Sequence, residues 1–177
     1  MKKDKRFHNI KFTLLFLVFF FILWGAAPVF SYPVKFTDSM GNNITIEKRP
    51  KCVVSLVPSI TEIIFKIGAG DAVKAVTYHD TYPPEMASKE IIGGFFSPSL
   101  MAIEKIQPDF IFVSRLHKRI RERFENDGCQ LINLETDSIA DSYRNILLLG
   151  RIFKKENEAA GIVYDIKKQL QIIAKKV

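Results

Sequence analysis

The chain has 177 residues, 47% of them hydrophobic and 25% charged, which is enough for one domain with its own core and a leader. Two cysteines exclude a disulfide-dense scaffold, and the apolar content excludes wholesale disorder. The net charge of +7 is no sign of a nucleic-acid partner: Lys2, Lys3, Lys5, Arg6 and Lys11 face only Asp4 within residues 1–31, which leaves +3 for the rest.

The chain opens with a basic stretch, residues 1–11, followed by an apolar run from Phe12 to Trp24 that only Thr13 interrupts. Gly25-Ala26-Ala27-Pro28 then leads to Val29-Phe30-Ser31. A charged n-region, an h-region and a small-residue exit are the parts of a secretory signal, with Val29 and Ser31 placed for a cut after Ser31. An uncleaved anchor is the competing reading, because Phe12 to Phe30 approaches membrane-spanning length. Both put the body of the protein outside the cytoplasm, in the periplasm. No cysteine stands at the exit, so no lipid-anchored N-terminus is expected.

Residues 32–150 read as an α/β lobe. Val34-Lys35-Phe36-Thr37 and Ile44-Thr45-Ile46 flank a Gly/Asn turn and predict a small N-terminal β-hairpin. Cys52 to Val57 is an apolar strand broken by Ser55. After Pro58, Ser59 and Glu62 have capping-box spacing. Ile60, Ile63, Ile64 and Ile67 then share one helix face, and Gly68 stops that helix. Ala72 to Thr77 is a second strand, followed by the loop Tyr78 to Pro84, and Ile91-Ile92 ends at Gly93-Gly94-Phe95-Phe96. Ser97 and Pro98 are expected to open a helix through Leu100, Ile103 and Ile106 that Pro108 closes. Phe110 to Val113 is a buried strand, and Leu116, Ile120 and Phe124 mark the next helix. Leu131 to Leu134 is another strand, and Ser138 with Asp141 caps a helix reaching Leu149-Gly150. Strands alternating with short helices predict a parallel-sheet sandwich lobe with helices on both faces.

In residues 151–177, Ile162, Val163, Ile166, Leu170, Ile173 and Val177 form a helical stripe with no Gly or Pro beyond it. A long helix with one apolar face needs something to lie against, and the preferred reading is a helix that continues into more protein.

Chemical motifs are sparse. Gly68-Ala69-Gly70 follows a helix instead of preceding one and lacks a third glycine, so it reads as a C-cap and not a nucleotide turn. His8, His79 and His117 have no spaced Cys or carboxylate partners, so no metal site is expected. Ser59 lacks the glycines of a nucleophile elbow, and a capping role accounts for it. Lys118, Arg119, Arg121 and Arg123 read as a solvated helix face. Cys52 and Cys129 each open a strand. Two partly buried thiols are preferred to a bridge, and the absence of CxxC removes a redox role. The Phe95-Phe96 pair beside Gly94 is the sharpest binding candidate, with core packing as its alternative.

Four motifs in order carry a resemblance: Val53-Val54-Ser55-Leu56-Val57-Pro58-Ser59-Ile60-Thr61-Glu62-Ile63-Ile64-Phe65 with Gly68-Ala69-Gly70-Asp71; Tyr82-Pro83-Pro84-Glu85; Gly93 to Leu100; and Gln107-Pro108-Asp109-Phe110. From about Val34 to the end the chain resembles the periplasmic substrate-binding proteins of cobalamin and ferric-siderophore ABC importers, of the helical-backbone type. The resemblance implies two lobes joined by a long helix, with ligand held between them. This chain then holds the N-terminal lobe and the start of the linking helix, and a second lobe or a dimer partner supplies the rest.

It also implies a ligand-binding set. His79 stands where cobalamin binders place an aromatic residue, Phe95 matches an aromatic at the ligand face, and Tyr78, Tyr82 and Phe96 are their loop neighbours. Ser114 replaces another aromatic, with Arg115 next to it. The family's permease-docking glutamate is Met101 here; Glu104, one turn on, is the candidate substitute, with an ordinary solvated helix charge as the preferred reading. The implied role is solute binding and not catalysis, with no resident cofactor. The implied partners are a small-molecule ligand and a membrane permease with its cytoplasmic ATPase. Cobalamin or another corrinoid is the leading ligand, and a ferric siderophore or haem is the alternative. A truncated interaction lobe that carries no solute, and an extracytoplasmic hydrolase, are the readings from other classes.

Overall fold

The structure is a computed structural model that describes residues 32–176. The signal or anchor expected in residues 1–31 lies outside the described residues. Two sheets and five α-helices are present among those described. The hairpin β1 (Val34–Thr37) and β2 (Asn43–Ile46) is antiparallel, with Val34 opposite Ile46. The main sheet is wholly parallel. Its strands are β3 (Val53–Ser55), β4 (Val73–Val76), β5 (Glu90–Ile91), β6 (Phe110–Val113) and β7 (Gln130–Asn133), in the order β5-β4-β3-β6-β7. The helices are α1 (Pro58–Lys66), α2 (Leu100–Ile106), α3 (Lys118–Phe124), α4 (Ile139–Phe153) and α5 (Glu156–Ala174).

Side chains of the main sheet sort the core into two layers, by simple alternation along β3 and β6 and with an irregularity where β4 pairs with β3. Val53, Val73, Phe110, Phe112 and Ile132 face one side, where α1 and α4 pack through Ile60, Ile64, Ile146, Leu149 and Phe153, α5 through Ala159 and Val163, and the hairpin through Val34, Ile44 and Ile46. Val54, Ala75, Ile111 and Val113 face the other side, against α2 and α3 through Ile103, Ile120 and Phe124. Both faces are covered, so the strands read as continuous apolar runs. The three-layer α/β lobe with its hairpin and long final helix is the fold class expected from the sequence.

The polar residue inside the first apolar strand has a partner in the helix behind it. The buried Ser55 hydroxyl pairs with the Thr61 hydroxyl of α1 at 2.7 Å, and Thr61 also reaches the Val57 carbonyl at 3.1 Å. At the opposite edge of the sheet, the Asp109 carboxylate accepts the backbone N–H groups of Lys51 and Cys52, each at 3.0 Å. The Pro108-Asp109 pair thereby ties the start of β6 to the start of β3. Cys52 and Cys129 sit one residue before β3 and β7 with β6 between them, and both are free thiols. Burial, reinforced by the Asp109 charge, pushes the Cys52 thiol up, and Cys129 is pushed up to about 11 by burial first and then by Asp109 and Asp127. Both stay protonated at neutral pH, which makes them poor nucleophiles.

Four helix boundaries differ from the sequence expectation. Ser59 caps nothing: α1 begins at Pro58 with Val57 at its N-cap, where proline's fixed φ suffices. Ser97 and Pro98 lie before α2, whose cap is Ser99, its hydroxyl accepting the Ala102 N–H at 3.3 Å. Leu116 precedes α3 and is exposed, so the buried stripe there is Ile120 and Phe124 alone. The fourth helix does not stop at Gly150 but runs to Phe153, where Lys154 turns it off in a left-handed conformation (φ 56°). Its cap is the expected one, with Ser138 accepting the Asp141 N–H at 3.1 Å.

Gly150 serves close packing. A Cβ built there would lie 2.5 Å from the Ala159 Cβ of α5 and 3.1 Å from the Lys155 carbonyl oxygen. Gly150→Ala gains helix propensity of about 1 kcal/mol but overpacks this crossing by roughly 2 kcal/mol, so a net loss of about 1 kcal/mol is expected from urea unfolding with an unchanged m-value. Gly150→Val should lose about 3 kcal/mol on the same scale.

Candidate ligand rim

Because all five strands run the same way, the loops that follow them gather along one edge. In open α/β sheets that carboxyl edge is where ligands bind. Here the loop after β4 carries Tyr78 and His79, the loop after β5 carries Gly93 to Phe96, and the loop after β6 carries Ser114 to His117.

The first two loops are stitched together. Tyr78 N–H donates to the Gly93 carbonyl at 3.0 Å, and Thr77 closes its turn on Asp80, donating to Oδ2 from its N–H at 2.8 Å and its hydroxyl at 2.6 Å. Gly93 has φ +107°, and a Cβ there would lie 2.8 Å from the Ser97 carbonyl, so the turn requires glycine. Gly94 is the seat of the Tyr78 ring, since a Cβ there would come within 2.4 Å of the Tyr78 hydroxyl.

On this frame the rings form a ledge. The Tyr78 and His79 centroids are 4.4 Å apart, and Phe95 meets Phe96 edge-on at 4.9 Å and 86°. Phe95 also contacts the His117 ring at 4.7 Å. Tyr78 and Phe96 are largely exposed, the latter by 78%, and Phe95 is half-buried. Apolar rings held out at a strand edge offer a stacking surface for a flat or conjugated ligand.

The Phe95 main chain is held on both sides by imidazoles. His79 Nδ1 accepts the Phe95 N–H at 3.3 Å, and His117 Nε2 lies 2.6 Å from the Phe95 carbonyl oxygen. His117 is 3% exposed and its Nδ1 accepts the Ser114 N–H at 3.0 Å. Sequence reasoning considered His117 only as a metal ligand and missed this contact. The available signal was its place in the loop after β6, three residues past Ser114.

Of the seven expected ligand residues, Tyr78, His79, Phe95 and Phe96 come together, and Ser114 adjoins them. Ser114 is buried, its hydroxyl accepting the Leu116 N–H at 3.1 Å. Tyr82 lies elsewhere, over a groove of about 420 Å³ shared with Phe65 and Lys66 of α1. Arg115 faces a polar hollow with Asn133, Glu135 and Arg144, and its N–H donates to Glu135 at 3.0 Å. Burial alone would raise the Glu135 carboxyl, but the hydrogen bonds from Arg115 and Asn133, with the nearby positive charge, hold it below the usual carboxylate range.

Arg121 departs from the solvated-face reading, because its Nη1 donates to the Ser114 carbonyl at 3.1 Å and the Arg115 carbonyl at 2.9 Å. Glu104 is paired with Arg123 at 2.7 Å, whereas Met101 one turn earlier is 78% exposed. Among the described residues no group of three or more His, Cys, Asp or Glu is placed to hold a metal ion. Nor is any described helix long and apolar enough to cross a membrane.

Comparison with known proteins decides the family. A profile described as periplasmic binding protein matches residues 53–177, which takes in every strand of the main sheet and all five helices. The chain belongs to the periplasmic binding protein family. Among curated relatives, an uncharacterized ABC transporter substrate-binding lipoprotein, YvrC, of Bacillus subtilis is 29% identical over 82% of this chain and 48% of its own length. A vitamin B12-binding protein of Pectobacterium atrosepticum is 25% identical over 68% of this chain and 44% of its own. A solved periplasmic heme binding protein of Pseudomonas aeruginosa shares the fold with a TM-score of 0.67 at 16% identity, over 71% of this chain and 46% of its own. The chain thus spans about half the length of the curated relatives it matches. The hairpin lies before the stretch that the periplasmic binding protein profile covers.

Proposed function

We propose that this chain is the N-terminal ligand lobe of an exported ABC-importer binding protein, and that it captures a corrinoid on the aromatic ledge of Tyr78, His79, Phe95 and Phe96. The observation that carries the reading is the Phe95 peptide, gripped from the loops after β4 and β6 so that its ring stands at the sheet edge. Capture is reversible stacking without bond chemistry, the lobe holds no resident cofactor, and any metal arrives as cargo. A membrane permease with its ATPase is the downstream partner. Met101, Glu104 and their neighbours on α2 are the docking candidates, with Glu104 already engaged by Arg123.

The corrinoid is preferred to haem because vitamin B12-binding relatives are alike in sequence, whereas the heme binding protein is alike in fold alone. A ferric siderophore stands beside haem as the alternative cargo. A second lobe, from a longer chain or a partner, would close over the ledge, since one lobe offers half the contacts of a two-lobed cleft.

The test is calorimetric titration of the chain with cyanocobalamin, with haemin and ferric enterobactin run in parallel. Cyanocobalamin binding in about the micromolar to millimolar range supports the reading, given a half-site. Tighter binding of haemin or the siderophore moves the cargo to the alternative. No binding of any of them, with retention of the chain by a permease, leaves an interaction lobe.

A further inference from the structure

His117 is absent from the expected ligand set, yet its ring is 3% exposed and has a hydrogen-bond partner at each nitrogen. A backbone N–H can only donate, so Nδ1, which receives the Ser114 N–H, must be unprotonated. The ring proton is therefore on Nε2 and points at the Phe95 carbonyl oxygen 2.6 Å away. One neutral tautomer satisfies both bonds, and in that state His117 links the loop after β6 to the loop after β5.

We propose that His117 is a positioning residue of the ligand rim: its neutral imidazole links Phe95 to the loop after β6, and its protonation breaks the Ser114 end of that link, so that Phe95 is no longer fixed at the sheet edge and capture of cargo weakens in acid. The proposal rests on the ligand reading of the ledge and adds its regulation.

Protonating Nδ1 would set two donors against each other inside a 3% exposed site. The charges that face the ring are mostly positive. Arg121 caps the same turn, Lys118 and Arg119 line the adjoining cavity, and Arg115 heads the loop. Glu135, beyond Arg115, is the carboxylate that acts on the ring among the described residues, and His79 lies across Phe95. The residues packed on the ring from the loop after β5, Phe95 to Pro98, carry no charge. Burial lowers the imidazole's proton affinity first. The Phe95 carbonyl opposes this, Arg121 adds to it and Glu135 opposes it, with a net shift below the ordinary value.

The sign of the pH dependence follows from that direction. A histidine whose folded pKa lies below its unfolded value contributes stability above the unfolded value, about 6.5, and loses it as pH falls through the folded one. The acid limb is therefore where the seated ring becomes costly and leaves its place.

The experiment follows the rim in the full chain, ¹⁵N-labelled and in a mild detergent, by NMR between about pH 7.5 and about pH 5.5. Ring nitrogen shifts report the tautomer, and the Phe96 amide nitrogen reports the hydrogen bond on the Phe95 carbonyl. The expected result is an Nε2–H tautomer at high pH, with a Phe96 shift that follows the His117 titration. That shift persists in His79→Gln and vanishes in His117→Gln and His117→Asn. The two His117 variants separate the bonds: the Gln amide reaches the Nε2 position toward Phe95, and the Asn oxygen reaches only the Nδ1 position toward Ser114.

With cyanocobalamin as the probe, the wild-type association constant should fall by about tenfold across that range, with no such fall in His117→Gln. At the upper pH, His117→Gln should bind more tightly than His117→Asn. A Phe96 amide that stays flat through the His117 titration, or an Nδ1–H tautomer, overturns the proposal, as does an equal pH slope in wild type and His117→Gln. Absence of cyanocobalamin binding at every pH removes the corrinoid reading instead, and the NMR result then decides the role of His117 alone.

Discussion

Phe95→Ala should weaken cyanocobalamin binding by about 10- to 100-fold, because a stacked aromatic ring contributes roughly 1.5–3 kcal/mol when its face is covered. The fold should lose only about 1 kcal/mol, since the ring is half-buried and anchors no part of either core layer. The hydrogen bonds that place residue 95 use its main chain, so alanine keeps them. A loss of affinity with a fall in melting temperature of only about 2–5 °C therefore isolates the ring as a contact. Phe95→Leu separates stacking from mere apolar area and should recover only part of the loss. An unaltered association constant in Phe95→Ala would remove Phe95 from the ligand ledge. Calorimetry and thermal unfolding on the same samples make the comparison.

A large stability effect is expected outside the ledge, at Asp38. This carboxylate is 7% exposed at the hairpin turn. Its Oδ1 accepts the N–H groups of Met40 and Asn42, each at 2.9 Å, and its Oδ2 accepts the Asn42 side-chain amide at 3.1 Å and the Asn133 N–H at 3.2 Å. Ser39 adds two more ties, giving its N–H to the Asn133 carbonyl and accepting the Glu135 N–H at its hydroxyl, each at 2.9 Å. Asp38→Ala orphans several donors at once, and a loss of about 3 kcal/mol is expected from urea unfolding. Asp38→Asn should not restore it, since one accepting oxygen becomes an NH₂ group that faces another donor. If Asp38→Asn were as stable as wild type, the carboxylate would be making fewer of these bonds than the geometry gives it.

The alternation of strands and helices was legible because both faces of the sheet are buried, so each strand appears as an unbroken apolar run such as Phe110 to Val113. Helix ends were less legible, since several residues can serve as a cap. Ser59, Ser97 and Ser99 all have the chemistry of an N-cap, and only the path of the chain selects Ser99. Gly150 had the composition of a stop signal but answers to a neighbour, Ala159 of the next helix. The Phe95-Phe96 pair was picked out by its place beside Gly94, whereas Tyr78 and His79 entered only through the family resemblance. His117 was not found, because its partner lies 22 residues earlier and no local pattern joins the two. Tyr82 shares the loop of Tyr78 in sequence, but the chain turns it toward α1, a matter of loop path that composition does not encode.

The Asp38–Asn133 clasp also bears on the order of assembly. Its two ends are 95 residues apart, so the hairpin, although local and complete early in synthesis, has no seat until β7 has been added to the sheet. Closing so long a loop is entropically costly and comes late. The Asn133 bond should then be absent from the folding transition state, so that the part of the Asp38→Ala loss that comes from the clasp should appear as faster unfolding. The clasp thus sets how long the finished lobe lasts without setting how fast it forms.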